Sequence, residues 1–272
     1  MHLVVDVAKC VGCFNCMVAC KDEHVGNSWL PYTDEQQKHD QKWINPVRHE
    51  RGAAPFTEIC FVTELCQHCG DAPCEKAATD AVKRRPDGIV LLDAEKARGN
   101  RKLVDACPFG QILWNEELGT AQKCTMCAHL LDDGWSEPRC VQACPLRALS
   151  VVPDSEIENM QGLESLFDGS HAPRVLYRNL HKRDTCFIAG ALAYREDGIE
   201  SAAAGAVVRL SQDGKLVAEV KTDFFGEFKI DRVLKNQTFE LSCALDGYKP
   251  VTRELTVGED SPCFDVTVFE RM

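Results

Sequence analysis

No stretch of this 272-residue chain approaches the roughly 18–20 uncharged apolar residues that a membrane-spanning helix requires, so no direct membrane insertion is expected. The opening residues, MHLVVDVAKC, lack a basic segment followed by an apolar one, and no export signal is expected. Positive charge is scarce as well, with 31 Lys and Arg against 42 Asp and Glu and a formal charge of -11. Such a chain is repelled by phosphate backbones and anionic lipids, which argues against nucleic acid or a membrane surface as partner. A cytoplasmic location is expected, where a reducing medium keeps thiols unpaired and free for metal.

What the chain has in excess is cysteine, sixteen in all. Cys10, Cys13, Cys16 and Cys20 form a C-x2-C-x2-C-x3-C run, the bacterial ferredoxin spacing, with Lys21 where a proline usually follows. Cys66, Cys69 and Cys74 form a second group that lacks its fourth member. Cys124, Cys127, Cys140 and Cys144 form a further group, with a long spacer between Cys127 and Cys140 and Pro145 after the last cysteine. Between these, Cys107 followed by Pro108 stands alone.

In two-cluster ferredoxins the first three cysteines of one motif share a 4Fe-4S cube with the fourth cysteine of the other. Counting with that spacing, the absent thiols fall on Ala78, Ala97, Asn100 and Leu103, four positions that would have formed one cluster together. Nothing is orphaned by their loss, because Cys66, Cys69 and Cys74 remain with Cys107. The same rule groups Cys10, Cys13 and Cys16 with Cys144, and Cys124, Cys127 and Cys140 with Cys20. Three 4Fe-4S clusters are therefore expected, using twelve of the sixteen cysteines.

A lone C-x2-C is often a zinc site, but zinc ribbons explain neither the dense first group nor the two Cys-Pro signals. Cys60, Cys186, Cys243 and Cys263 have no partner at ligand spacing and are expected as buried small hydrophobes. His68, between two ligands, either donates a hydrogen bond to a cluster sulfide or is a surface residue. Trp29, Trp43, Trp114 and Trp135 are expected as packing residues with no redox role.

The segments VVDVAKCVGCFNCMVACKDEH, LCQHCGDAPC, DGIVLLDAEKARGN, DACPFGQILWN, AQKCTMCAHLL and CVQACPLRAL resemble, in that order, the four-cluster iron-sulfur subunits of molybdopterin oxidoreductases. That group includes the electron-transfer subunits of dimethyl sulfoxide and polysulfide reductases. The resemblance implies a large catalytic partner, in a heterodimer or higher oligomer, that holds molybdenum and bis-molybdopterin guanine dinucleotide. It also implies that the Cys10, Cys13, Cys16 and Cys144 cluster lies nearest that partner. In the family's row of four, the missing cluster is expected to be the third, interrupting the row. An interrupted row suits a complex with no external electron donor or acceptor, and the likeness is strongest to transhydroxylases acting on polyhydroxybenzenes. Another molybdopterin reductase or dehydrogenase, a structural iron-sulfur subunit and a free-standing carrier are the alternatives.

The expected fold class is α+β, a doubled ferredoxin-like cluster domain over 1–152 followed by an all-β sandwich or barrel. Residues 21 to 59, with Pro31, Pro46 and Pro55, read as an insertion that either meets the partner or runs over the surface. Residues 153–183 read as a connector. From 184 to 272 the pattern alternates with period two: Ala206, Val208 and Leu210, then Leu216, Ala218 and Val220 after the Asp213-Gly214 turn, then Phe228/Ile230, Phe239/Leu241/Cys243 and Phe264/Val266/Val268. About seven strands are expected, similar to carboxypeptidase-regulatory or transthyretin-like domains, with a docking or stabilising role and no catalytic residues.

Overall fold

Leu3, Val4 and Val5 are buried one after another, so the first strand is covered on both faces rather than on one. The computed structural model describes every residue, Met1–Met272, and resolves two units: Met1–Arg48 with Cys60–Leu180, and His49–Ile59 with His181–Met272. The chain runs through β1 (His2–Asp6), α1 (Asn15–His24), β2 (Ile44–Arg51), β3 (Glu58–Leu65), α2 (Pro73–Ala77), β4 (Val82–Arg84), β5 (Val90–Leu92) and α3 (Lys102–Asp105). It continues with β6 (Leu113–Asn115), β7 (Thr120–Gln122), α4 (Ala128–Asp132), α5 (Arg139–Gln142), β8 (Leu149–Val152), α6 (Asp154–Ile157) and β9 (Val175–Arg178). No helix is long and apolar enough to cross a membrane.

In the first unit, β1 lies between β8, antiparallel, and β9, parallel. The pairs β4–β5 and β6–β7 are short antiparallel hairpins around the cysteine loops. β6 and β8 each follow one of the two Cys-Pro segments. The expected connector differs from the structure, because β9 is built into the sheet. Tyr177 on β9 is fully buried and donates its hydroxyl to the Thr63 carbonyl at 2.8 Å. Residues 21 to 48 are likewise no bare surface excursion: Thr33, Asp34, Gln36, Gln41 and Trp43 are buried. Gln122 Nε2 holds this segment by donating to the Asp34 and Glu35 carbonyls at 3.2 and 2.9 Å.

The second unit adds α7 (His181–Asp184), β10 (Cys186–Glu196), β11 (Ile199–Ala202), β12 (Val207–Gln212), β13 (Lys215–Lys221), β14 (Glu227–Val233), β15 (Gln237–Ala244), β16 (Val251–Val257) and β17 (Cys263–Phe269). One sheet has the order β13-β12-β15-β16. In the other, β14 and then β11 pair antiparallel along one edge of β10 while β17 pairs parallel along the opposite edge. Val208, Leu210, Phe228, Ile230, Phe239 and Leu241 fill the core of this unit. The β12–β13 turn is Asp213-Gly214 with φ 49 and 74, the doubly left-handed geometry that a two-residue hairpin requires.

Three expectations for this region are corrected. There are eight strands, because β11 is largely exposed and gives no apolar alternation. Leu216 is exposed, since an irregularity between Leu210 and Ser211 shifts the register and turns its side chain outward. A similar shift between Gly190 and Leu192 leaves Val266 exposed and buries Phe269 instead.

Within this unit Arg51, only 8% exposed, ties its guanidinium to Glu58 at 2.7 Å and Asp231 at 3.0 Å. Lys229 bonds the other Glu58 oxygen, and both cations lie over the Phe187 ring, 5.3 Å from its centroid for Arg51 and 4.7 Å for Lys229.

Candidate metal centres

The first C-x2-C loop of each group turns on a left-handed residue just before its second cysteine: Gly12 at φ 66, His68 at φ 44 and Met126 at φ 55. Such a turn aims successive backbone N–H groups to one side, a cradle for negative charge. At Gly12 a side chain is also excluded by space, since a Cβ would stand 2.4 Å from the Phe61 ring. The Cys-Pro segments repeat a second geometry. Gly110 and Arg147, each three residues after its cysteine, are left-handed at φ 63 and 50. The next N–H then donates to the cysteine sulfur, Gln111 to Cys107 at 3.3 Å and Ala148 to Cys144 at 3.2 Å. Met126 N–H donates to Cys124 Sγ at 3.3 Å.

The structure gathers the cysteines by these turns. Cys10, Cys13, Cys16 and Cys144 line one cavity, with Val11, Phe14 and Leu146 at its rim. Cys66, Cys69, Cys74 and Cys107 line another. Cys20, Cys124, Cys127 and Cys140 are all buried, and Cys20 and Cys140 each feel both Cys124 and Cys127. Burial pushes Cys16, Cys69 and Cys127 up to about 12 and Cys124 to about 11. Cys20 and Cys140 are driven well above the usual thiol range by the same cause. Thiolates here therefore need a cationic core to stabilise them.

The donor set fits an iron-sulfur cube better than zinc. Zinc bonds each sulfur at about 2.3 Å, which draws thiols to within roughly 4 Å of one another. No three Cys, His, Asp or Glu side chains are gathered closely enough to hold a single ion. A four-iron cube spaces its thiolates more widely and is served by N–H···S bonds of the kind seen at Cys107, Cys124 and Cys144.

Three of the four positions without thiols, Ala78, Ala97 and Leu103, have gone over to packing. Ala97 and Leu103 are fully buried in a small core with Ile112 and Ala121, and Ala78 and Trp114 pack against it. This core also includes Cys69 and Cys74, whereas Cys66 packs in the first core with Cys124 and Cys140. Cys124 feels Cys66, and Cys140 feels Cys16, so the three sets stand in a row with the Cys20 set in the middle. The expectation that the lost position is third in the row is thus corrected: it lies beyond the Cys66 set, at the end.

His68 is not a surface residue. It is 1% exposed, its Nδ1 accepts the Val90 N–H at 3.1 Å, and burial holds it neutral, well below the ordinary histidine range. Two neighbours escaped the sequence reading. His24 Nε2 stands 3.9 Å from Cys127 Sγ, and burial with the nearby His129 holds it down at about 3. Lys123 is 3% exposed beside the Cys66 set. A lysine adjoining a ligand cysteine is the only signal it gave, and lysines are normally exposed. Trp43 packs on His24 at 4.7 Å and Trp29 stacks on His129 at 4.4 Å, while Trp114 lies under Arg101 and Trp135 is part exposed. Cys60, Cys186 and Cys243 are buried as expected; Cys263 is only half-buried, at the edge strand β17.

The 4Fe-4S dicluster domain family matches residues 57–153. The chain is similar to the pyrogallol hydroxytransferase small subunit of Pelobacter acidigallici, 41% identical over 255 residues that span 90% of this chain and 91% of that protein. It is also similar to the B subunit of the anaerobic dimethyl sulfoxide reductase of Escherichia coli K12, 32% identical over 161 residues covering 58% of this chain and 76% of that subunit. The arsenate respiratory reductase iron-sulfur subunit of Shewanella sp. ANA-3 is 27% identical over 234 residues, 65% of this chain and 95% of that one. An alignment spanning 90% of the chain takes in most of the all-β unit.

Proposed function

The chain belongs to the family of iron-sulfur subunits that includes the pyrogallol hydroxytransferase small subunit and the B subunits of dimethyl sulfoxide reductases, and from that premise we propose that it is the electron-transfer subunit of a transhydroxylase. Three 4Fe-4S clusters are held by Cys10, Cys13, Cys16 and Cys144, by Cys20, Cys124, Cys127 and Cys140, and by Cys66, Cys69, Cys74 and Cys107, on a doubled ferredoxin scaffold. Each bound cluster takes up and returns one electron with little movement of its thiolate cage. The chain's own part is to hold the thiols in place, donate N–H groups to sulfur and exclude water from the middle set.

The reaction belongs to a large partner subunit with molybdenum and bis-molybdopterin guanine dinucleotide, where a hydroxyl group passes between polyhydroxybenzenes such as pyrogallol and phloroglucinol. The apolar rim of Val11, Phe14 and Leu146 around the Cys10 set suits the partner's side of the row. We read the second unit as a transthyretin-like sandwich and assign it a docking or stabilising role. The observation that carries the transhydroxylase reading is the missing terminal position together with likeness over 90% of the chain to a hydroxytransferase subunit. A net hydroxyl transfer needs no exit for electrons. The 32% identity to a reductase subunit favours, as second reading, a reductase with a shortened row.

Iron, acid-labile sulfide and molybdenum measured on the anaerobically purified complex test the proposal, with about twelve irons expected from three cubes. Pyrogallol turnover without an added electron donor separates transhydroxylase from reductase. About sixteen irons, or activity only with an external reductant, would reject it.

A further inference from the structure

His68 and Lys123 both line the cavity of Cys66, Cys69, Cys74 and Cys107, and both are fastened to one residue. The Val90 N–H donates to His68 Nδ1 at 3.1 Å, and Lys123 Nζ donates to the Val90 carbonyl. Because Nδ1 is an acceptor, the hydrogen of the neutral ring sits on Nε2. That Nε2 is buried and has no hydrogen-bond partner in the protein. A buried donor with nothing to donate to is a costly arrangement unless something at the site receives it.

Lys123 poses the matching question for charge. Its ammonium donates to two neutral acceptors, the Val90 carbonyl and, at 3.1 Å, the Cys124 carbonyl. A cation buried this far calls for negative charge close by. The sulfurs of the cavity that it lines are the candidates to supply it.

On the basis of the three-cluster reading, we propose that His68 Nε2–H donates to the cluster held by Cys66, Cys69, Cys74 and Cys107 and that Lys123 sets a positive charge beside it, together raising its reduction potential. Reduction adds one negative charge to the cluster, which a donor and a cation both favour. The electron comes from the partner's reduced metal centre, which loses one as the cluster gains one. The end of the row thus becomes the place where an electron rests. His68 and Lys123 are positioning and tuning residues; neither touches substrate.

The test uses the anaerobically purified complex carrying His68→Asn or Lys123→Met. Asparagine tolerates the left-handed backbone at this position but places no donor where Nε2 stood. Midpoint potentials of all clusters are read from a redox titration followed by EPR, with iron counted in the same samples. His68→Asn is expected to lower one couple and leave the other two, and Lys123→Met to lower that same couple most, with a smaller fall in the couple of the adjoining Cys124 set. At fixed potential the reduced-to-oxidised ratio of the couple lowered in both drops about tenfold, a shift of about 59 mV for a one-electron couple. Full iron content with no couple displaced overturns the proposal. If H68N loses iron, K123M decides by the same readout, and loss of a cluster in both assigns these residues a purely structural role. The three-cluster reading fails separately, on the iron count of the wild-type complex.

Discussion

Cys16 and Cys20 lie one turn apart on α1 yet belong to different thiol sets, Cys16 lining the cavity of Cys10, Cys13 and Cys144 while Cys20 faces Cys124 and Cys127. The helix is therefore shared between two proposed clusters, and the chain must bring distant segments to both of its ends. Serine substitutions sort the ligands. Cys16→Ser and Cys144→Ser are expected to disturb one EPR signal of the reduced complex, Cys20→Ser and Cys140→Ser a second, and Cys74→Ser and Cys107→Ser a third. Should Cys144→Ser disturb the same signal as Cys140→Ser, the crossed pairing is wrong.

Leu103 stands where a ligand was counted and is fully buried in the apolar core that replaces the cluster. Leu103→Ala is expected to destabilise the first unit by about 3 kcal/mol through lost contacts and a residual cavity. The iron content of the folded protein should not change. Chemical denaturation with parallel iron analysis checks both halves of this statement, and iron loss from otherwise folded protein would contradict it.

Gly12 combines a left-handed backbone with contact to Phe61. Gly12→Ala adds about 1–2 kcal/mol of backbone strain, besides the clash with the ring, to the loop between Cys10 and Cys13. Selective loss of the signal assigned to that set is expected, measured by EPR against the unaffected two. The double variant Gly12→Ala/Phe61→Ala should recover part of it.

Glu58 gives the second unit a dependence on acid. Burial alone would raise its pKa, but the hydrogen bonds from Lys229 and Arg51 outweigh it and hold the carboxyl at about 2. A free glutamate titrates near about 4.3. Because the folded value is the lower one, this contribution is fully present above the unfolded value and disappears as pH falls through the folded one. Hydrogen-exchange protection of β14 amides should exceed that of Glu58→Gln above about pH 5, with the difference shrinking toward pH 2. A difference that stays constant over that range would show that the ion pairs are not responsible.

The cysteine sets were legible because ligand spacing is local and the crossed pairing is a rule of chain topology. Four absences at once, at Ala78, Ala97, Asn100 and Leu103, told as much as the thiols present. Their place at the end of the row was not legible, since spacing says which residues share a site but not which sites are neighbours. Only the approach of Cys66 to Cys124 decides that. In the second unit, period-two alternation marked most strands, but single-residue shifts at Leu216 and Val266 reversed the faces beyond them. β9 was hidden because a four-residue strand in an acidic, turn-rich stretch owes its existence to β1 rather than to its own pattern. Lys123 and His24 were missed for a related reason: what makes them important is burial, and burial is set by the fold.

The plug of Ala97, Leu103, Ile112 and Ala121 has a directional consequence. Methyl and aliphatic groups offer no redox level, so in the proposed three-cluster row the end at the Cys66 set would be stoppered. An electron entering such a row would have no onward station beyond that set, and would leave through the same door by which it arrived.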